Sequence, residues 1–184
     1  MRCFLAVQIP EASKDALEAA AQAIESEAAG FYRWTSREQM HLTLYFLGEM
    51  EETGEVVDAL RGVKGEAVSL SISGLVRLPE TNVPKVLAGG VTGEVGVLER
   101  TQRRISDTVF AHAAFKETRR YYPHVTFGRL NSRMPGNAKV VKRALAAASI
   151  DSCEPFEVRS FDLVKSTLTK EGPEYETVES FSLV

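Results

Sequence analysis

Apolar positions recur along this chain with two different periods, which divide it into strands and helices. Short runs rich in Val, Ile, Leu and Phe are typical of buried strands, and longer runs with apolar residues three and four apart are typical of amphipathic helices. Helices are predicted over residues 11–29, 51–63, 95–115 and 137–148. Strands are predicted over residues 2–9, 31–35, 41–47, 68–78, 85–91, 124–130, 156–169 and 175–183.

Proline and glycine positions mark where these elements begin and end. Pro10 opens the first helix, and Gly48 closes the third strand. Pro123 forces its predecessor toward an extended backbone, so a strand begins directly after it and a loop over residues 131–136 ends that strand. No linker or low-complexity tract interrupts this order, which predicts one domain over residues 1–184.

Composition and charge narrow the class of protein. With 184 residues, 44% of them hydrophobic, the chain can bury the core of one compact domain. Its formal charge of −3 argues against a protein that coats long nucleic acid, although a short nucleotide end remains an acceptable ligand. The apolar residues 1–9 are too few for a signal peptide or a membrane span. We therefore expect a cytoplasmic protein with no membrane partner.

A four-residue motif occurs once in each half of the chain, at residues 41–44 and 124–127. Side chains alternate between the two faces of a strand, so His41 shares a face with Thr43, and His124 shares a face with Thr126. Each strand can then bury its apolar face and present an imidazole and a hydroxyl to a cleft. The motif therefore predicts one site built from two strands.

Two histidines and two threonines suit the chemistry of phosphate esters. A histidine titrates near pH 6.5, so a pair can hold one neutral and one protonated imidazole at the same pH. The neutral ring can take a proton from water while the protonated ring gives one to the leaving oxygen, and hydroxyls can bind the phosphoryl oxygens. A single His-x-Thr is usually an ordinary strand segment, but two copies favour catalysis. His112 lacks such a motif and is assigned to a helix edge.

The doubled motif resembles that of the 2H phosphoesterases, and the resemblance covers essentially the whole chain in order. It is most specific to the LigT-like branch, the RNA 2′,3′-cyclic phosphodiesterases formerly called 2′-5′ RNA ligases. The matching segments are Arg2 and Phe4, Trp34, residues 41–49, residues 124–129, residues 166–168 and residues 172–175.

This resemblance implies a fold and a set of roles. The fold is a bilobal α/β (α+β) arrangement: two pseudo-symmetric lobes of antiparallel sheet, helices on the outer faces and a central cleft. His41 is the implied acid for the O3′ leaving group, His124 the implied base for water, and Thr43, Thr126 and Arg129 the implied phosphate contacts. By strict alternation Arg129 faces away from the cleft, so its role requires a break in the pleat at Gly128 or at the strand end.

Two further features give weaker candidates for contact with RNA. A basic and aromatic segment over residues 116–122 can hold an RNA end by charge and stacking, and its plainer interpretation is a solvated helix end with a packed loop. Tyr45 has the parity of His41, so it either lines the cleft or packs within a lobe, whereas Phe46 is predicted to be core. The candidate nucleotide contacts are Tyr45, Arg119, Arg120 and Tyr122.

The implied activity is metal-independent hydrolysis of RNA 2′,3′-cyclic phosphate ends to 2′-phosphomonoesters. Alternatives are 2′-5′ RNA ligation, opening of another small nucleotide cyclic phosphate, and a non-catalytic module that binds RNA ends. A metallophosphoesterase is disfavoured because neither motif has an adjacent acidic ligand. We expect no cofactor and no metal. The expected partners are RNA ends bearing a 2′,3′-cyclic phosphate, with no obligate protein partner, and the expected state is a monomer.

Overall fold

The computed structural model describes residues 1–133, 137–170 and 172–184, so residues 134–136 of the expected loop over residues 131–136 lie outside the described residues. Within the described part the chain forms nine strands and four α-helices. The strands are β1 (Arg2–Gln8), β2 (Tyr32–Trp34), β3 (His41–Glu49), β4 (Val68–Leu78), β5 (Val86–Gly93), β6 (His124–Leu130), β7 (Phe156–Val158), β8 (Ser160–Leu168) and β9 (Pro173–Ser182). The helices are α1 (Glu11–Glu27), α2 (Gly54–Arg61), α3 (Val95–Val109) and α4 (Ala138–Ala147).

Two elements depart from the pattern of the sequence. The helix expected over residues 95–115 ends at Val109, because the following chain crosses to β3, where the Phe115 amide donates to the Leu47 carbonyl at 2.9 Å. This places His112 beyond the helix and not on its edge, with its Nδ1 atom 3.4 Å from a Glu55 carboxylate oxygen. The strand expected over residues 156–169 is two strands, since β7 pairs with β4 and β8 pairs with β1.

All nine strands belong to one antiparallel sheet, in the order β7-β4-β5-β6-β3-β1-β8-β9, with β2 added beside β6. Four strands of this order lie on each side of the contact between β3 and β6, as expected for two pseudo-symmetric lobes. The lobes are not the two halves of the sequence, however. β1 and β3 are joined by β8 and β9, whereas β2, β4 and β5 are joined by β6 and β7.

The helices cover one face of this sheet and enclose the core. α1 packs against α4 and β6, whereas α2 packs against α3, which lies over β3. Apolar side chains such as Leu17 and Ile24 on α1 and Leu98 and Ile105 on α3 are fully buried beneath them. Burial of this kind stabilises a fold by about 25 cal/mol for each Å² of apolar surface removed from water.

The opposite face of the sheet carries none of the four described helices, and a small apolar cluster there is separate from the main core. This cluster consists of Phe4, Ala6 and Val164. Within the described ranges, no helix is long and apolar enough to cross a membrane. The face without helices, called the uncovered face below, is therefore the surface on which the polar side chains of the two motifs can lie.

Candidate active site

The two motif strands meet at one residue pair in the centre of the sheet. Leu42 of β3 pairs with Val125 of β6 in antiparallel register, and both side chains are fully buried in the core. Alternation then turns the flanking residues to the uncovered face, and the antiparallel direction sets His41 beside Thr126 and Thr43 beside His124. All four of these side chains are partly buried. The structure thus brings the four motif residues together around one point.

The two imidazoles are held in equivalent ways. The Nδ1 atom of His41 lies 2.7 Å from the Gln39 carbonyl oxygen, and the Nδ1 atom of His124 lies 2.7 Å from the Tyr122 carbonyl oxygen. A carbonyl can only accept, so each Nδ1 atom carries a proton and donates it. In its neutral form each ring therefore has its lone pair on Nε2, where it can accept a proton from a ligand.

The ring of His41 lies against aromatic side chains. Its centroid is 4.7 Å from that of Phe4 in a stacked arrangement and 5.5 Å from that of Tyr175 in an edge arrangement. Burial lowers the pKa of His41 to about 4, with smaller contributions in the same direction from the charges of Arg129 and His124, while the Gln39 carbonyl acts in the opposite sense. The free protein therefore holds His41 neutral near pH 7.

A cavity of about 660 Å³ opens beside His124. Its wall includes Gly90, which pairs with His124 across β5 and β6, and Tyr122, whose carbonyl holds the His124 ring. Arg120 also lines the cavity. The volume lies in the range of sites for small organic ligands. None of the four motif side chains lines this cavity, so it adjoins the site on the His124 side and is separate from the phosphate position.

Arg129 reaches the same face as the motif residues because the pleat of β6 is broken. Ala88 pairs with Thr126 and Leu87 with Gly128, so Phe127 is the extra residue of a bulge. A bulge of one residue reverses the alternation beyond it. Arg129 is exposed, and its charge lowers the pKa of His41. The break in the pleat that a phosphate-binding role of Arg129 requires is therefore present in β6.

A second bulge, on β3, decides the positions of Tyr45 and Phe46. Thr43 pairs with Ala6 and Tyr45 with Leu5, so Leu44 is the extra residue. Tyr45 is consequently buried at 2% exposure and its hydroxyl accepts a hydrogen bond from the Glu117 amide at 3.4 Å, so it does not line the cleft. Phe46, predicted to be core, is 46% exposed. Of the two alternatives for Tyr45, packing within a lobe is the one observed. The core assignment of Phe46 was wrong, because alternation was carried through a bulge.

The basic and aromatic segment before β6 forms a loop docked on β3, with its side chains differently engaged. Lys116 lies over the Phe110 ring, 4.7 Å from its centroid, and Arg119 pairs with Glu117 at 2.8 Å. The Tyr121 hydroxyl donates to the Thr43 carbonyl at 3.2 Å. Tyr122 is 55% exposed, with its ring centroid 6.2 Å from that of His124. Of the four candidate nucleotide contacts, Tyr122 lies beside His124, and Arg120 lines the neighbouring cavity.

Phe4 and Tyr175 belong to the site but were not predicted as site residues from the sequence. Phe4 lies on β1 and Tyr175 on β9, far from His41 in sequence. Their ring centroids are 5.0 Å apart. Each falls in a segment that shares the family resemblance, but no spacing indicates that they meet. Within residues 1–133, 137–170 and 172–184, no group of three or more His, Cys, Asp or Glu side chains is arranged to hold a metal ion.

Comparison with known proteins places this geometry in a family. The model of the family described as LigT like Phosphoesterase matches residues 7–88 and 94–175, one segment around each motif. An RNA 2′,3′-cyclic phosphodiesterase of Aeropyrum pernix is 30% identical over 145 residues, which cover 77% of this chain and 80% of the relative. An RNA 2′,3′-cyclic phosphodiesterase of Methanocaldococcus jannaschii is 27% identical, over 98% of this chain and 100% of the relative.

A solved structure agrees with the fold. The crystal structure of TT0787 of Thermus thermophilus superposes with a TM-score of 0.77 and 26% identity, covering 100% of this chain and 98% of the other. The family match extends over most of the chain and includes both histidine motifs. This chain therefore belongs to the LigT-like phosphoesterase family.

Proposed function

We propose that this protein hydrolyses the 2′,3′-cyclic phosphate at RNA ends to a 2′-phosphomonoester, with His41 and His124 as its acid and base. The observation that carries the proposal is the pairing of Leu42 with Val125, which sets both motifs side by side on the uncovered face. Relatives that align over most of their length and bear the name RNA 2′,3′-cyclic phosphodiesterase support the choice of substrate.

In the proposed reaction, the Nε2 atom of His124 accepts a proton from water as the water oxygen bonds to phosphorus. The P–O3′ bond breaks, and protonated His41 gives its Nε2 proton to O3′. The phosphate stays on O2′. Water thus enters on the His124 side and the ribose O3′ leaves on the His41 side, as an in-line displacement requires.

Thr43, Thr126 and Arg129 are proposed to bind the phosphoryl oxygens during this step. Negative charge on these oxygens grows in the transition state, where hydroxyl donors and a planar guanidinium stabilise it. The Thr hydroxyls flank the seam between β3 and β6, and Arg129 follows the bulge that turns it toward the same face.

The low pKa of His41 bears on its role as acid. A ring with a pKa of about 4 is neutral at pH 7 in the free protein, so it must gain its proton with the substrate. A phosphate anion bound against the His41 ring raises the pKa of His41, because an opposite charge favours the protonated form. The proposal therefore has His41 protonated in the substrate complex and not in the free protein.

The proposal extends to the setting of the reaction. Residues 1–184 act as one catalytic domain on RNA ends in the cytoplasm, as a monomer that uses no metal, cofactor or obligate protein partner. Tyr122, which lies beside His124, and Arg120, which lines the neighbouring cavity, remain the proposed contacts for the rest of the nucleotide.

The direct test is incubation of the purified protein with short RNAs that end in a 2′,3′-cyclic phosphate, with a chelator present. A 2′-phosphomonoester as product is the expected result. A 3′-phosphomonoester would overturn the assigned bond, a joined 2′-5′ product would favour ligation, and binding without turnover would favour a non-catalytic module.

A further inference from the structure

Two arginines face each other across neighbouring strands at the edge of the site. Arg33 of β2 pairs directly with Arg129 of β6 in antiparallel register. Residues paired in this way have Cβ atoms about 4.5–5.5 Å apart and side chains on the same face. The structure therefore sets two guanidinium groups side by side.

The pattern of burial shows which face this is. Tyr32 is buried in the main core, and Trp34 packs against it with its ring 6.1 Å from that of Phe127. Arg33 lies between them and is exposed, so it projects to the uncovered face, where the charge of Arg129 acts on His41. Arg33 thus stands next to the catalytic site, one strand beyond Arg129.

Neither arginine has an acidic partner among the described residues. Arg37, a few residues along the chain, forms ion pairs with Glu11, Asp15 and Glu18. Like charges placed directly opposite each other on a sheet are destabilising. An anion between Arg33 and Arg129 would remove that repulsion and use both donor forks.

We propose that Arg33, together with Arg129, binds a second phosphate, the one on the 5′ oxygen of the nucleotide that carries the cyclic phosphate. The proposal rests on the proposed function and deepens it. It makes the substrate a nucleotide with phosphates on both sides of its ribose, as the last nucleotide of an RNA strand has, and not an isolated nucleoside cyclic phosphate.

The distance between Thr126 and Arg129 along β6 agrees with two phosphate positions. Arg129 lies three positions after Thr126, and one of the two residues between them is bulged. The two therefore lie roughly 7–10 Å apart along β6 at about 3.3 Å per residue. Arg129 can therefore stand between the two phosphates and contact both, while Arg33 contacts only the second. Tyr175 contacts the His41 ring, and the charge of Arg129 acts on both, so the two arginines lie on the side of the ribose oxygen that leaves.

The experiment compares two substrates that differ only in the 5′ phosphate: adenosine 2′,3′-cyclic phosphate and its 5′-phosphorylated form. Wild-type protein should show a kcat/KM about fivefold or more higher for the 5′-phosphorylated substrate, the factor expected for one partly exposed charge pair. Arg33→Gln should reduce that ratio to near one and leave the rate on the unphosphorylated substrate within about twofold of wild type.

Two further variants control for charge and geometry. Arg103→Gln removes another exposed arginine, on α3, and should keep the wild-type ratio. Arg33→Lys keeps the charge but loses the planar fork, so it should give an intermediate ratio. Thermal unfolding of Arg33→Gln should occur at or above the wild-type temperature, because the variant removes a repulsion.

The possible outcomes distinguish failure of the second phosphate site from failure of the proposed function. Turnover of both substrates at equal kcat/KM by wild type would overturn the second phosphate site and leave the proposed function standing. Equal losses of Arg33→Gln on both substrates, a loss matched by Arg103→Gln, or a clear drop in unfolding temperature would also overturn it. No turnover of either substrate would overturn the proposed function itself.

Discussion

His41 and His124 have equivalent hydrogen bonds but different surroundings. Both rings donate from Nδ1 to the carbonyl two residues earlier, at 2.7 Å in each case. His41 is packed against Phe4, whereas His124 lies beside the exposed Tyr122 and an open cavity. The two histidines are therefore held symmetrically by the backbone but lie in different side-chain surroundings. This suits a reaction in which one histidine acts as acid and the other as base.

Alanine variants of the histidines test the acid and base roles. His41→Ala and His124→Ala should each lower kcat by about 10²–10⁴-fold, the range for one acid or base group. Circular dichroism should show an intact fold, since neither ring lies in the main core. A substrate with a p-nitrophenolate leaving group needs no acid, so it should restore much of the activity of His41→Ala. Recovery of His124→Ala in its place would reverse the two roles.

The low pKa of His41 predicts a dependence of stability on pH. Between pH 6.5 and about 4, His41 takes up a proton in the unfolded chain but not in the fold, so this group's contribution to stability is lost as pH falls through that window. The unfolding temperature of wild type, relative to that of His41→Asn, should therefore be higher at pH 7 than at pH 5. His112→Asn is the matched control. A difference independent of pH would mean that the pKa of His41 is not lowered.

At the scale of elements, two bulges decide which side chains reach the site. One lies at Leu44 in β3 and the other at Phe127 in β6, the last residue of each motif. Each reverses the alternation that follows, which exposes Phe46 on one strand and turns Arg129 to the site on the other. Alternation predicts the correct face for the three residues that follow each histidine. It fails after the bulge, because a bulge depends on the partner strand.

Gly128 allows the second bulge to pack. A Cβ atom there would lie 2.8 Å from the Trp34 ring, which is stacked on Phe127 and held by a hydrogen bond to Glu25. Gly128→Ala should therefore lower the free energy of unfolding by about 1–3 kcal/mol, as overpacking does. It should also lower activity by displacing Arg129. Denaturant unfolding measures the first effect and steady-state kinetics the second.

Gly96→Ala on α3 is the control for this variant, because a Cβ atom there has no neighbour within 4 Å. It should leave activity unchanged and raise stability slightly, since alanine favours a helix. If Gly128→Ala were as stable and as active as Gly96→Ala, the bulge would not depend on the glycine.

At the scale of the whole molecule, the site lies where the two lobes of the sheet join. Leu42 and Val125 are the residues paired between β3 and β6. A ligand bound to both motifs would therefore connect the lobes and stabilise the molecule. Each lobe contains strands from both halves of the chain, so neither half could form its lobe alone.

A thermal shift measures this connection. Adenosine 2′-monophosphate, the expected type of product, should raise the unfolding temperature, and at 100 times its Kd the gain is about 2.7 kcal/mol. Thr43→Ala and Thr126→Ala should each reduce the shift, whereas Thr108→Ala on α3 should not. A chelator should leave the shift unchanged. An equal shift in all three variants would place the ligand away from the seam.

The sequence by itself determined the local features of this protein. Strand and helix periods, the alternation around each histidine and the doubled His-x-Thr motif depend on neighbouring residues, and they predicted the α/β class and the four residues around the seam. Tertiary structure decided the rest, because it depends on partners distant in sequence. The pairing of β3 with β6, the two bulges, the burial that lowers the pKa of His41 and the pairing of Arg33 with Arg129 all arise from strand register. Register is fixed only when the whole sheet forms, since each strand is hydrogen-bonded to others far along the chain.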